Sequence, residues 1–270
     1  MIRVLLASPL GLLIGMSLGA LGGGGSILAV PALVYAAGQD PKQATTTSLL
    51  LVGAASAVGM VGHYRAGRVA IGTGVTFGLA GIGGSLVGAG VNRRLDPNVL
   101  LLAFAGLVVI AAWRMVTGCP TCTRVGEAGA LALDVSPVSA RFGVDLRSAI
   151  TLLVAGTAVG FLTGLFGVGG GFVIVPALAL GLKLPMPTAI GTSLLTITIN
   201  SAVGLTTRLA TTSIDWNVTL PFTIAAVAGV ITGGRLANRL NPTRSLRAFA
   251  ALLVTVAVYT GTRAGFALDS

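Results

Sequence analysis

Long apolar runs separated by short polar gaps occupy most of the chain, and they fall into two sets of five. The first set covers about 4–21, 26–37, 45–62, 69–91 and 98–116, and the second about 148–166, 172–182, 188–207, 216–236 and 245–262. A helix needs roughly 20 residues to cross the hydrocarbon core of a bilayer, and four runs in each set come near or reach that length. The second run of each set is too short to cross alone. It follows a glycine run, Gly22–Gly25 or Gly169–Gly171, and carries Pro31 or Pro176 inside it. The first two runs of each set therefore predict a broken helix pair meeting at glycine. Irregular backbone is not tolerated against lipid, so the breaks belong inside the protein or along a cavity.

The two sets match one another at a constant displacement of 145 residues. Gly11, Gly15, Gly19, Gly22, Gly24 and Gly25 fall on Gly156, Gly160, Gly164, Gly167, Gly169 and Gly170. Val30-Pro31-Ala32-Leu33 falls on Val175-Pro176-Ala177-Leu178, and Thr47-Ser48-Leu49-Leu50 on Thr192-Ser193-Leu194-Leu195. One register held over roughly a hundred residues is the mark of duplication. The expected architecture is an all-α integral membrane protein of two tandem repeats, each with about five hydrophobic segments and a glycine-broken helix pair. Residues 1–117 form the first transmembrane repeat, 118–147 a polar linker and 148–270 the second repeat. Arg3 and the apolar run behind it resemble a signal peptide. The return of the same pattern downstream assigns them to the repeat.

Composition agrees with this class. Of 270 residues, 9% are charged and 54% hydrophobic, where soluble domains carry about 25% charged residues. The net charge of +10 would suggest nucleic acid in a soluble protein, but here the basic residues sit between apolar runs, at membrane edges. If each repeat crosses an odd number of times, Arg65, Arg68, Arg114, Arg124, Arg141, Arg147, Lys183, Arg235, Arg239, Arg244 and Arg247 share one side. Arg3, Lys42, Arg93, Arg94, Arg208 and Arg263 take the other. An even number leaves almost no bias. The positive-inside rule thus favours an inverted repeat with a cytoplasmic linker.

Inverted repeats with interrupted helices recur in secondary transporters, whose sites lie near the midplane at the repeat interface. A helix start carries a partial positive charge, and glycine lets a ligand approach its backbone. Gly22, Gly24, Gly25 and Ser26, with Gly167, Gly169, Gly170 and Gly171, are therefore candidate anion ligands. The competing reading is close helix packing. Thr46, Thr47 and Ser48, with Thr192 and Ser193, open the third run of each repeat and could donate to substrate oxygens or cap the helix. Asn200 is an amide inside a span and needs a partner. Ser56 and Ser201 recur, but a hydroxyl can satisfy itself on its own helix.

No Asp or Glu lies inside a predicted span, which argues against a cation site, and no nucleophile–base arrangement suggests an enzyme. His63, the only histidine, ends the third run beside Arg65 and Arg68 and is either a proton carrier or an interfacial anchor. Arg208 takes the matching place, to attract an anion or to sit among headgroups. Cys119-Pro120-Thr121-Cys122 suits a reversible disulfide or half a zinc site, but nothing nearby completes a metal set, and an incidental loop is the preferred reading. No cofactor is implied.

The chain resembles the TauE/SafE family of sulfite exporters, grouped with the toluene sulfonate uptake permeases. The resemblance rests on a Gly-x-Gly-Gly-Gly-x-x-x-x-Pro-x-Leu pattern at Gly167 to Leu178 and, with Ser26 for its last glycine, at Gly22 to Leu33, followed by Thr47-Ser48-Leu49 and Thr192-Ser193-Leu194. Of the His…Gly-x-Val-Asp ending, the first repeat keeps His63, Gly67 and Val69 but has Ala70 for Asp. The second has Arg208 for His and keeps Asp215. The resemblance implies transport of a small sulfur oxyanion or organosulfonate across the bacterial cytoplasmic membrane, with His63 as the proton-coupling candidate. Its expected partners are the substrate anion and the bilayer, not nucleic acid, and a homo-oligomer stays open. An anion channel, or a membrane scaffold or redox protein using Cys119 and Cys122, are the alternatives.

Overall fold

The computed structural model describes residues 2–35, 37–92, 146–166, 171–182, 184–209 and 214–237, with isolated positions between 103 and 113 and at 251. Every element among them is helical. Helix α1 (Ile2–Leu21) leads through Gly22 and a 3-10 turn (Gly23–Gly25) into α2 (Ser26–Tyr35). Then come α3 (Pro41–Arg65) and α4 (Ile71–Asn92). The later part holds α5 (Leu146–Phe166), the short α6 (Gly171–Pro176) continued by a π turn (Ala177–Gly181), α7 (Met186–Leu209) and α8 (Trp216–Ala237). The fifth apolar run of each set and the Cys119–Cys122 loop lie outside the described residues, apart from isolated positions.

Local chemistry sets the helix ends. Pro41 opens α3, where its missing N–H costs nothing, and the Asp40 carbonyl accepts the Ala44 N–H at 2.8 Å. Asp215 caps α8: its Oδ1 accepts the Asn217 N–H at 3.1 Å and its carbonyl the Thr219 N–H at 2.9 Å. Helix α3 stops at Gly67, whose φ of 69 lets the Arg68 N–H turn back to the His63 carbonyl at 2.9 Å.

Among the described residues α3, α4, α7 and α8 are each long and apolar enough to cross a membrane, and α1 and α5 carry the shorter apolar segments Pro9–Leu21 and Ile150–Leu165. Leu79, Val154 and Ile224 are exposed. An exterior of aliphatic side chains is suited to lipid. The protein is a multi-pass, all-helical membrane protein.

Two parallel pairs flank a central crossing. Helix α1 lies along α8: a Cβ on Gly15 would overlap the Ala226 carbonyl, and one on Gly19 the Val230 carbonyl. Helix α5 lies along α4 in the same way, Gly160 against Gly81 and Gly164 against Ser85. Small residues allow such approach where lipid offers no hydrophobic drive. Displacing both partners of the first pair by 145 residues gives the second. Between the pairs α3 and α7 run in opposite directions, with Gly59 against Leu194 and Gly204 against Leu49. This contact, too, maps onto itself under the same displacement. Phe77 and Phe222, again matched, are both buried in the core.

Candidate functional site

The broken helices bring the start of α2 to the start of α6. Gly22 has φ 74 and ψ −124, a conformation open to glycine and closed to most other residues. A Cβ there would stand 2.8 Å from the Ser193 hydroxyl and 2.9 Å from a Val175 methyl. One on Gly23 would overlap the Gly171 carbonyl, and one on Gly25 the Ile14 carbonyl. Gly23, Gly24 and Gly25 are all buried. The described glycines of the breaks thus form a packed backbone junction. Gly167, Gly169 and Gly170 lie outside the described residues.

Beside this junction is a cavity of about 220 Å³, room for roughly seven waters. Five helices enclose it. Ser26 and Val30 come from one face of α2, Thr45 and Ser48 from α3, and Ser85 from α4. Thr163 comes from α5, and Asn200 and Ser201 from α7. Aliphatic groups such as Leu49, Val52 and Ile82 fill the spaces between, and no charged side chain stands among the described lining residues. A helix rises 1.5 Å per residue. Ser48 is therefore about 10 Å from the start of α3 and Asn200 about 14 Å from the end of α7.

The hydroxyls are held by their own chain. Ser26 Oγ donates to the Gly23 carbonyl at 2.7 Å, Ser48 Oγ to Thr45 at 2.8 Å, Ser85 Oγ to Ile82 at 3.1 Å and Thr163 Oγ1 to Val159 at 2.8 Å. Each keeps lone pairs free and can swing its proton toward a ligand for the modest net cost of one hydrogen bond. The Asn200 Oδ1 is buried with no hydrogen-bond partner. The orphaned oxygen marks a place for a donor such as water, and the same amide carries two N–H donors of its own.

Of the residues singled out from sequence, Ser26, Ser48, Asn200 and Ser201 line the cavity together. Gly22, Gly24, Gly25 and Gly171 belong to the junction beside it. Thr47 instead ties α3 to α8 through a 3.4 Å contact between its hydroxyl and that of Thr219. Thr219 spends its own proton on the Asp215 carbonyl at 2.7 Å, so Thr47 is the donor. Thr192 accepts the Ala70 N–H at 3.0 Å. Ser193 donates to the Ile190 carbonyl at 2.8 Å and is covered by Gly22.

His63 is buried near the far end of α3, against Gly191 and within reach of the Gly19 backbone, away from the cavity. The Arg208 side chain lies outside the described residues. Thr45, Ser85 and Thr163 are lining residues that sequence reasoning passed over. One signal could have found them: their matches 145 residues away are Ile190, Val230 and Leu18, so the repeats differ in polarity there. Among the described residues no cluster of His, Cys, Asp and Glu could hold a metal ion.

A polytopic helical fold with a cavity between its helices is compatible with a membrane transporter, and comparison with known proteins gives that class. The chain belongs to the sulfite exporter TauE/SafE family, whose profile matches residues 7–260. It is similar to a probable membrane transporter protein of Xylella fastidiosa (strain 9a5c), 32% identical over 253 residues, which cover 92% of this chain and 90% of the relative. It is also similar to the probable membrane transporter protein YunE of Bacillus subtilis (strain 168), 25% identical over 95% of this chain and 93% of the relative. No solved structure matches the chain.

Proposed function

We propose that this protein is a secondary transporter that carries a small sulfur oxyanion or organosulfonate, of the sulfite type, across the bacterial cytoplasmic membrane. The cavity is its binding site. The observation that carries this reading is a pocket of hydroxyls and one amide, without charged side chains, set about 10–14 Å inside the helices. Helix α2 starts at its wall with Ser26 and has no acidic residue in its first turn. The start of the helix adds roughly half a positive charge. Rotated hydroxyls and the Asn200 amide supply donors to the substrate oxygens. With no Lys or Arg among the described lining residues, binding stays weak enough for release. The packed glycine junction holds the start of α2 in place.

The antiparallel contact of α3 with α7 at matched residues supports two inverted copies, related by a two-fold axis in the membrane plane. Arg65 ends α3 and Arg235 lies in the last turn of the parallel α8, so both stand at one face, with Arg68 just beyond α3. By the positive-inside rule that face is cytoplasmic, and Asp40 and Asp215 mark the other. His63, near the arginine-rich face, is the candidate proton carrier.

Binding tests the reading directly. Purified protein melts at higher temperature with sulfite or a small sulfonate than with chloride at equal ionic strength. Ser48→Leu plus Ser85→Leu, which fill the cavity, remove that rise. An equal rise in the filled variant rejects the cavity as the site.

A further inference from the structure

We propose that the anion site is single and lies in one half of the membrane, and that the matching region of the other half is its closed apolar gate. The inference rests on the transporter reading above. Five of the seven polar side chains that line the cavity lack a polar counterpart. Ser26 corresponds to Gly171, Thr45 to Ile190, Ser85 to Val230, Thr163 to Leu18 and Asn200 to Ala55. Two hydroxyls keep a counterpart: Ser48 matches Ser193, on which Gly22 sits, and Ser201 matches Ser56, which is fully buried.

The counterpart region is filled. Leu18 and Leu194 are 0% exposed, Val230 1% and Ile190 4%. They close on one another through α3: a Cβ on Gly59 would stand 2.8 Å from a Val230 methyl and 3.2 Å from a Leu194 methyl. Where one half of the fold encloses a polar cavity, the other encloses mostly hydrocarbon around the buried Ser56 and Ser193. A dry aliphatic constriction blocks an ion because the ion loses its hydration and gains no partner.

The plug has a definite side. Gly191, next to Ile190, packs against His63 and the Arg68 carbonyl, and Gly19, next to Leu18, lies beside His63. It therefore lies toward the arginine-rich face. The cavity lies toward the face of Asp40 and Asp215, near the start of α3 and the end of α7. In an inverted pair the opposite-facing state arises when the two copies exchange conformations. Here conformation can exchange but most ligands cannot, since all the polar side chains except Ser48 and Ser201 exist in one copy of the cavity only. The substrate binds from the Asp215 face and meets few ligands once the plug parts, which makes the arginine-rich face the low-affinity side.

Side-specific cysteine labelling tests this in a background with Cys119→Ser and Cys122→Ser, in vesicles of known orientation. A membrane-impermeant thiol reagent is expected to modify Thr45→Cys and Val52→Cys from the Asp215 face and not from the other. Leu18→Cys and Val230→Cys stay unmodified from both faces at rest. With sulfite and a driving gradient they become modified from the arginine-rich face. If Val230→Cys disturbs packing, Ile190→Cys samples the same plug. Resting plug cysteines that react from the arginine-rich face as fast as cavity cysteines do from theirs would overturn the proposal. Cavity cysteines that react from the arginine-rich face would overturn it equally. Labelling at rest needs no substrate, so a wrong substrate class shows as absent sulfite uptake with one-sided labelling intact.

Discussion

The carbonyl of Gly171 occupies the space that a Cβ on Gly23 would need. Two helix starts from distant parts of the chain thus touch backbone to backbone at the centre of the protein. Any side chain there must push α2 and α6 apart, and with them the wall of the cavity that Ser26 supplies.

Gly23→Ala therefore destabilises the fold by about 1–3 kcal/mol, the usual cost of overpacking. Gly62→Ala is the control, since nothing lies within 4 Å of a Cβ at that exposed helical position. Thermal unfolding in detergent should show a clear loss for the first and little change for the second. Equal melting temperatures would mean that the junction is looser than described.

Thr192→Val is expected to cost more than Thr47→Val. The first removes the acceptor of the Ala70 N–H, and an unsatisfied part-buried donor costs about 1–3 kcal/mol. The second removes one contact between hydroxyls on two helices, and such bonds in membrane proteins average about 0.6 kcal/mol. Unfolding of both variants under the same conditions checks the order.

Asn200→Leu removes the one amide in the cavity and takes up part of its volume. A hydrogen bond to a charged group is worth roughly 1.5–3 kcal/mol, so the half-saturation concentration for transport rises roughly tenfold or more. An unchanged value would place the substrate elsewhere.

His63→Gln separates coupling from binding, because His63 is buried away from the cavity. Substrate-for-substrate exchange should persist while accumulation driven by a pH gradient is lost. Accumulation that survives the change would assign the proton to another group.

The repeated features were the ones legible from sequence. The break at Gly22 through Ser26 stood out because glycine and proline recur together 145 residues later, and the structure turns the chain there. Helix ends were less legible. Helix α3 runs from Pro41 to Arg65, beyond the apolar run at both ends, because Pro41 starts a helix in polar sequence and Gly67 decides where it stops. The cavity was only partly legible. Ser85 and Thr163 sit among small residues and read as packing positions. Only the relative placement of α4 and α5, fixed by Gly160 on Gly81 and Gly164 on Ser85, turns them toward a common space. Gly23 and Gly25 suited an anion in sequence, yet their backbone surfaces are taken by Gly171 and Ile14.

Uptake of radiolabelled sulfite into proteoliposomes bears most directly on whether the cavity carries the substrate. The account predicts saturable uptake, competed by small sulfonates and abolished by Ser48→Leu plus Ser85→Leu in protein that still melts cooperatively. Uptake that continues unchanged with the cavity filled would contradict it.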